Sequence, residues 1–184
     1  MTIEGVAGKP SWQTRAVTAL LAAGGEKKML GSAAGVRASL EKRDRRIEPV
    51  RPPASLRKTT TVTREEFDGW PVFRMAPYAG PAEVTVFFLH GGGFIREIVR
   101  PHWTFLAGLG TGVPAESVVP IYPLIPHGHA AGMVATTAAL LARTIEERGP
   151  GKTVVMGNSA GAPWRWRRPR PCWNRAVRNR PGSC

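Results

Sequence analysis

The sequence predicts an α/β protein: a mainly parallel sheet with flanking helices. Two observations carry this. Short runs rich in β-branched and aromatic residues (83–89, 117–122 and 153–156) alternate with longer segments of helical pattern, and a strand–helix–strand–helix–strand order implies right-handed crossovers between parallel strands. In addition, 42% of the 184 residues are hydrophobic, too many for a wholly disordered chain. No apolar run reaches the roughly 18–20 residues that a membrane span needs, so the chain is not expected to be an integral membrane protein. The length fits one domain or slightly more.

The elements follow in order. Ser11 is placed to cap a helix that continues through the Ala/Leu-rich stretch 16–23. Arg15 precedes that apolar stretch, as in a secretory leader, but Glu4 and the long preceding segment favour an amphipathic helix and a cytoplasmic protein. Gly24 and Gly25 break the helix, and a second is expected over about 27–46. Pro49, Pro52 and Pro53 mark a linker. Short strands are expected at 59–62 and 72–75, with Asp68-Gly69 as the turn between them. The nearly continuous apolar run EVTVFFL at 83–89 reads as a central strand buried on both faces. Pro101 suits the first turn of a helix through 109. The run SVVPIY at 117–122 is the next strand, although Pro120 weakens it. Residues 130–148 form the clearest helix, and TVVM at 153–156 reads as another buried strand.

Charge is unevenly spread. The formal net charge is +13, but seven of the 26 Lys and Arg residues and none of the 13 Asp and Glu lie in 162–184, so residues 1–161 carry +6. The basic excess is mostly a property of this tail, which is also rich in Trp and Pro and is expected to be disordered. The organisation expected is a helical segment over 1–48, a main domain over 49–161, and the tail over 162–184. The two cysteines, Cys172 and Cys184, cannot build a disulfide scaffold.

Two glycine-rich motifs stand directly after strands. Gly157-Asn158-Ser159-Ala160-Gly161 follows TVVM. A serine exposed on a sharp strand-to-helix turn needs a strained backbone, and side chains two positions before and after it would collide, so glycines belong at both places. His90-Gly91-Gly92-Gly93-Phe94 follows EVTVFFL. Consecutive glycines let backbone N–H groups approach and point at one ligand oxygen, as an oxyanion hole requires.

These two motifs, with Tyr122-Pro123-Leu124-Ile125-Pro126 between them, resemble the hormone-sensitive-lipase-like esterases and lipases of α/β-hydrolase fold. The resemblance covers about residues 45–161, and residues 1–48 resemble the family's variable cap only loosely. It implies a serine carboxylesterase or lipase working through an acyl-enzyme. Ser159 would be the nucleophile. The N–H groups of Gly91, Gly92 and Ala160 would form the oxyanion hole, while His90, Gly93, Gly157 and Gly161 support the two loops. The implied partner is a small-molecule ester, with no metal or organic cofactor. Asn158 departs from the family, which usually has Asp there, and His127 stands where an acidic residue often follows the proline.

In this fold the triad partners follow the serine in the order Asp or Glu, then His. No Asp, Glu or His follows Ser159 in this sequence. The upstream histidines His102, His127 and His129 read as surface or turn residues, and Asp44 and Asp68 as structural. The chain is therefore expected to be inactive and its fold incomplete on the C-terminal side. The tail interrupts the helix that should follow the serine, as an out-of-frame reading would. With its arginines encoded as CGn, residues 161–167 shifted by one base can read Gly-Ala-Leu-Ala-Leu-Ala, an apolar helical run. Other readings of the chain are a non-catalytic hydrolase-like binding protein, or a basic Trp/Arg tail that binds nucleic acid or an anionic membrane. Neither kind of tail binding explains why the tail begins inside the serine motif.

Overall fold

The computed structural model describes residues 11–23, 31–44 and 50–162, and the chain divides into two units, Met1–Ile47 and Glu48–Cys184. The tail reading, apart from residue 162, lies outside the described residues. In the first unit, helix α1 (Trp12–Ala23) starts where Ser11 Oγ accepts the Thr14 N–H at 3.2 Å. Helix α2 (Ala33–Asp44) is capped in the same way by Ser32, whose Oγ accepts the Gly35 N–H at 3.0 Å. Each serine satisfies an N–H that the first helical turn would otherwise leave unpaired. No α2 residue is buried within the described structure.

The second unit holds a five-stranded sheet: β1 (Thr60–Phe67), β2 (Trp70–Pro77), β3 (Val84–Leu89), β4 (Ala115–Pro120) and β5 (Thr153–Gly157), in the order β1-β2-β4-β3-β5. Helix α3 (Arg100–Gly112) connects β3 to β4, and helix α4 (Ala130–Arg148) connects β4 to β5. The sheet is mixed: β3 pairs in parallel with β4 and β5, whereas β2 pairs antiparallel with β1 and β4.

The hairpin closes at Asp68 (φ 52°) and Gly69 (φ 76°), two successive left-handed residues that match the twist of the flanking strands. Its strands run longer than the sequence predicts. β1 includes Arg64, Glu65 and Glu66, charges that an edge strand accommodates. Glu65 is held by Arg74 at 3.0 Å and by Arg143 at 2.6 Å. Asp68 Oδ2 accepts the Thr136 hydroxyl at 2.6 Å, which fastens the turn to α4. Arg148 pairs with buried Glu116 and so ties the end of α4 to β4.

Strand pleating sorts the core into two faces. Val86 and Phe88 of β3 pack with Phe73, Val119 and Trp103 in the layer that includes α3. Phe87 and Leu89 pack with Val72, Val118, Met133 and Leu140 in the layer that includes α4. β3, between two strands, is buried from Thr85 to Leu89. β5 corrects the expectation of a second buried strand. It has one neighbour among the described residues, and Val154 is 47% exposed. Among the described residues, no helix is long and apolar enough to cross a membrane.

Candidate active site

Parallel pairing of β3 with β5 brings the two motifs together. Leu89 lies opposite Gly157, so the chain leaves both strands at the same end, into HGGGF from one and GNSAG from the other. A Cβ added to Gly91 would sit 2.8 Å from the Asn158 carbonyl oxygen and 3.1 Å from Ser159 Cβ. No side chain fits between the loops at that point.

Ser159 has φ 48°, a left-handed conformation that costs a residue with a Cβ roughly 1–3 kcal/mol. Glycines frame the turn because the backbone folds back on itself there. A Cβ on Gly157 would lie 2.5 Å from the Gly161 carbonyl oxygen, and one on Gly161 would overlap the Leu89 carbonyl. The turn is held by the Gly161 N–H donating to the Asn158 carbonyl at 2.9 Å and the Ala162 N–H donating to Ser159 at 3.0 Å. Ser159 is exposed. Among the described residues neither its hydroxyl nor the Ala160 N–H has a hydrogen-bond partner.

The chain also has counterparts among known proteins. Residues 86–163 match a family described as alpha/beta hydrolase fold. The chain belongs to the α/β-hydrolase fold. A triacylglycerol lipase of Mycobacterium tuberculosis (strain ATCC 25618 / H37Rv) is 35% identical over 102 residues, which is 55% of this chain and 23% of that protein. The crystal structure of EstE7, a hormone-sensitive-lipase homologue from a metagenome library, superposes with a TM-score of 0.57 at 22% identity, covering 82% of this chain and 48% of that one. A mutant of esterase rPPE gives a TM-score of 0.61 at 20% identity, covering 96% and 56%. The chain thus spans about a quarter of the curated relative and about half of these solved structures. The proteins it resembles here are a lipase, an esterase and a homologue of hormone-sensitive lipase.

Within this hydrolase-fold site the glycine loop has a distinct job for each residue. The Gly91 N–H donates to Asn158 Oδ1 at 2.8 Å, so this group, read from the sequence as an oxyanion donor, already has an acceptor. Gly92 (φ 132°) turns the chain where a Cβ would lie 2.5 Å from the Arg96 carbonyl oxygen. Its own carbonyl accepts the Ile95 and Arg96 N–H groups at 3.1 and 3.0 Å. Among the described residues the Gly92 N–H has no partner. Gly93 (φ 64°) and Phe94 (φ 61°) continue the left-handed path. The Phe94 carbonyl then accepts the Ile125 N–H at 2.9 Å, joining the loop to the YPLIP segment.

His90 is fully buried and stacks on Tyr122, with ring centres 4.3 Å apart and planes 7° from parallel. Its Nδ1 donates to the Gly91 carbonyl at 2.7 Å, and the Tyr122 hydroxyl donates to the His90 carbonyl at 2.5 Å. Burial pulls its pKa down to about 4, against a smaller upward effect of the Gly91 hydrogen bond, so the ring is neutral at pH 7. A neutral ring bonded to the loop backbone is a buttress.

The remaining histidines separate. His129 caps α4, its Nδ1 accepting the Gly132 N–H at 3.1 Å, and His127 lies in the preceding turn. His102, expected as a surface or turn residue, is partly exposed in the first turn of α3 and also reaches the serine motif. Its Nε2 lies 3.0 Å from Asn158 Nδ2, beside the serine. The two residues are 56 positions apart, and only the β3–β5 pairing brings them together. Asp44 pairs with Arg43 at the end of α2, and Asp68 belongs to the hairpin.

Proposed function

We propose that the chain carries the nucleophile and oxyanion half of a serine carboxylic ester hydrolase. Ser159 Oγ attacks the ester carbonyl. The N–H groups of Gly92 and Ala160 stabilise the tetrahedral oxyanion; its collapse breaks the ester C–O bond and releases the alcohol, and the acyl group stays on the serine until water releases it as the acid. Gly91 has a structural share, since its N–H is held by Asn158. His90, Gly93, Gly157 and Gly161 keep the two loops in register. The single observation that supports this reading most is the left-handed Ser159 (φ 48°) 3.1 Å, at its Cβ, from where a Gly91 side chain would begin.

The reading includes low activity for this chain by itself. A serine hydroxyl needs a base to take its proton. Among the described residues Ser159 Oγ has no hydrogen-bond partner, so none of them is placed as that base. Loss of the base costs several orders of magnitude in rate. The substrate class is a small ester.

Hydrolysis of a short-chain 4-nitrophenyl ester by the purified chain, with and without added imidazole as a substitute base, tests the reading. Without imidazole, the chain and Ser159→Ala release nitrophenol at the same slow rate. With imidazole, the chain carrying Ser159 gains more rate than Ser159→Ala, whose gain is only that of imidazole acting on the ester in solution. Fast turnover without imidazole that Ser159→Ala abolishes contradicts the proposed inactivity, and equal rates with imidazole contradict Ser159 as nucleophile.

A further inference from the structure

We propose that His102 is a positioning residue for the glycine loop, acting through Asn158, and that the hydrogen-bond chain joining them is one acceptor short. Its catalytic meaning rests on the oxyanion reading above; the count of donors and acceptors does not.

The chain has four members. At one end the Val99 N–H points at His102 Nδ1 at 3.2 Å, closing the first turn of α3. His102 Nε2 faces Asn158 Nδ2 at 3.0 Å. At the other end the Gly91 N–H points at Asn158 Oδ1 at 2.8 Å. Both ends are backbone N–H groups, which only donate. Each of the two middle groups, a neutral imidazole and a carboxamide, presents one donor side and one acceptor side along the chain.

If His102 Nδ1 accepts from Val99, its Nε2 carries the proton and donates toward residue 158. Asn158 must then accept that bond, which leaves its NH₂ facing the Gly91 N–H. Turning the amide back satisfies Gly91 and sets NH₂ against N–H at His102. Moving the ring proton to Nδ1 sets N–H against the Val99 N–H instead. Two donor ends joined through two such groups always leave one contact donor to donor. Protonating His102 adds a further donor. A carboxylate at 158 accepts from both sides and closes the chain with every proton placed.

The mismatch bears on the site because Gly91 is the first residue of the loop and Asn158 the residue before the serine. His102 therefore anchors both motifs to the N-terminus of α3. The Phe88 ring packs beside it, centre to centre 6.0 Å. The charge of a protonated His102 is felt at His90, whose pKa it helps to lower. Partial burial holds the His102 pKa below the ordinary histidine range.

The test is Asn158→Asp in the full chain, read by NMR titration of the His102 ring and by exchange of the Gly91 amide. The proposal expects the His102 midpoint to rise by about one pH unit or more, as beside a new carboxylate in direct contact. It also expects slower Gly91 exchange and a higher thermal midpoint. In a His102→Ala background the gain in thermal midpoint from Asn158→Asp should fall by at least half. His102→Gln, which keeps one donor and one acceptor, serves if the alanine variant does not fold, and should retain part of the Gly91 protection. An unmoved His102 titration, or an undiminished gain without His102, overturns the proposal. Acylation of Ser159 with an unmoved His102 would sink this inference alone, whereas a moved His102 with no acylation would sink the esterase reading alone.

Discussion

β3 and β5 are neighbours in parallel register, each ends in a glycine-rich motif, and they live in different surroundings. β3 lies between β4 and β5, with Phe87 fully buried and Phe88 and Leu89 almost so. β5 pairs with β3 alone among the described residues, and Val154 on it is about half exposed. The comparison separates what shapes the two loops. The glycine loop is held by a finished core and a buried His90–Tyr122 stack. The serine turn is shaped by the close approach of its own backbone to Leu89 and Gly161, and needs little from the far side of β5.

The largest expected contrast is between Phe87→Ala and Val154→Ala, measured by urea unfolding. The first should cost about 3–5 kcal/mol through lost burial and the cavity left behind. The second should stay within about 0.5 kcal/mol. Similar costs at the two positions would mean that β5 is as enclosed as β3.

The next effect is the pH dependence that His90 imposes on the β3 side. Its pKa is about 4 in the fold against an ordinary 6.5. Below pH 6.5 the unfolded chain takes up a proton that the folded chain refuses, so stability is full above that point and falls toward pH 4. Below about 4 this contribution no longer changes. The loss amounts to about 3 kcal/mol as an order of magnitude. Unfolding curves across this range should show the slope, and His90→Gln should remove it; a variant that keeps the same slope would assign the titration elsewhere.

The smallest effect tests the serine turn. Ser159→Gly relieves the positive φ and should leave the protein about 1 kcal/mol more stable than Ser159→Ala in thermal or urea unfolding. Equal stabilities would mean that the turn stores no strain at Ser159.

Much of this fold is legible in the sequence because its signals are local. EVTVFFL marks β3, Asp68-Gly69 the hairpin, and the pattern at 130–148 coincides with α4. Burial of TVVM was overestimated because an apolar run reports what a strand could bury, while its actual burial depends on how many strands flank it. β1 was read as too short because Arg64, Glu65 and Glu66 look unlike strand residues until Arg74 and Arg143 are seen to pair with Glu65. The two motifs stand out by their glycines. The acceptor for the Gly91 N–H is 67 residues away and the partner of His102 is 56 residues away, and local pattern carries no signal for either. The departure of Asn158 from the usual Asp was visible in the sequence, but what it touches was not.

The central claim is that the glycine loop and Ser159 face one substrate carbonyl. It is tested most directly by incubating the chain with an activated short-chain ester and imidazole, then locating the acyl group by tandem mass spectrometry. The account predicts one acyl group per chain, on the peptide containing Ser159, and none on that peptide in Ser159→Ala. Acylation spread over lysines or histidines, with Ser159 unmodified, would contradict it.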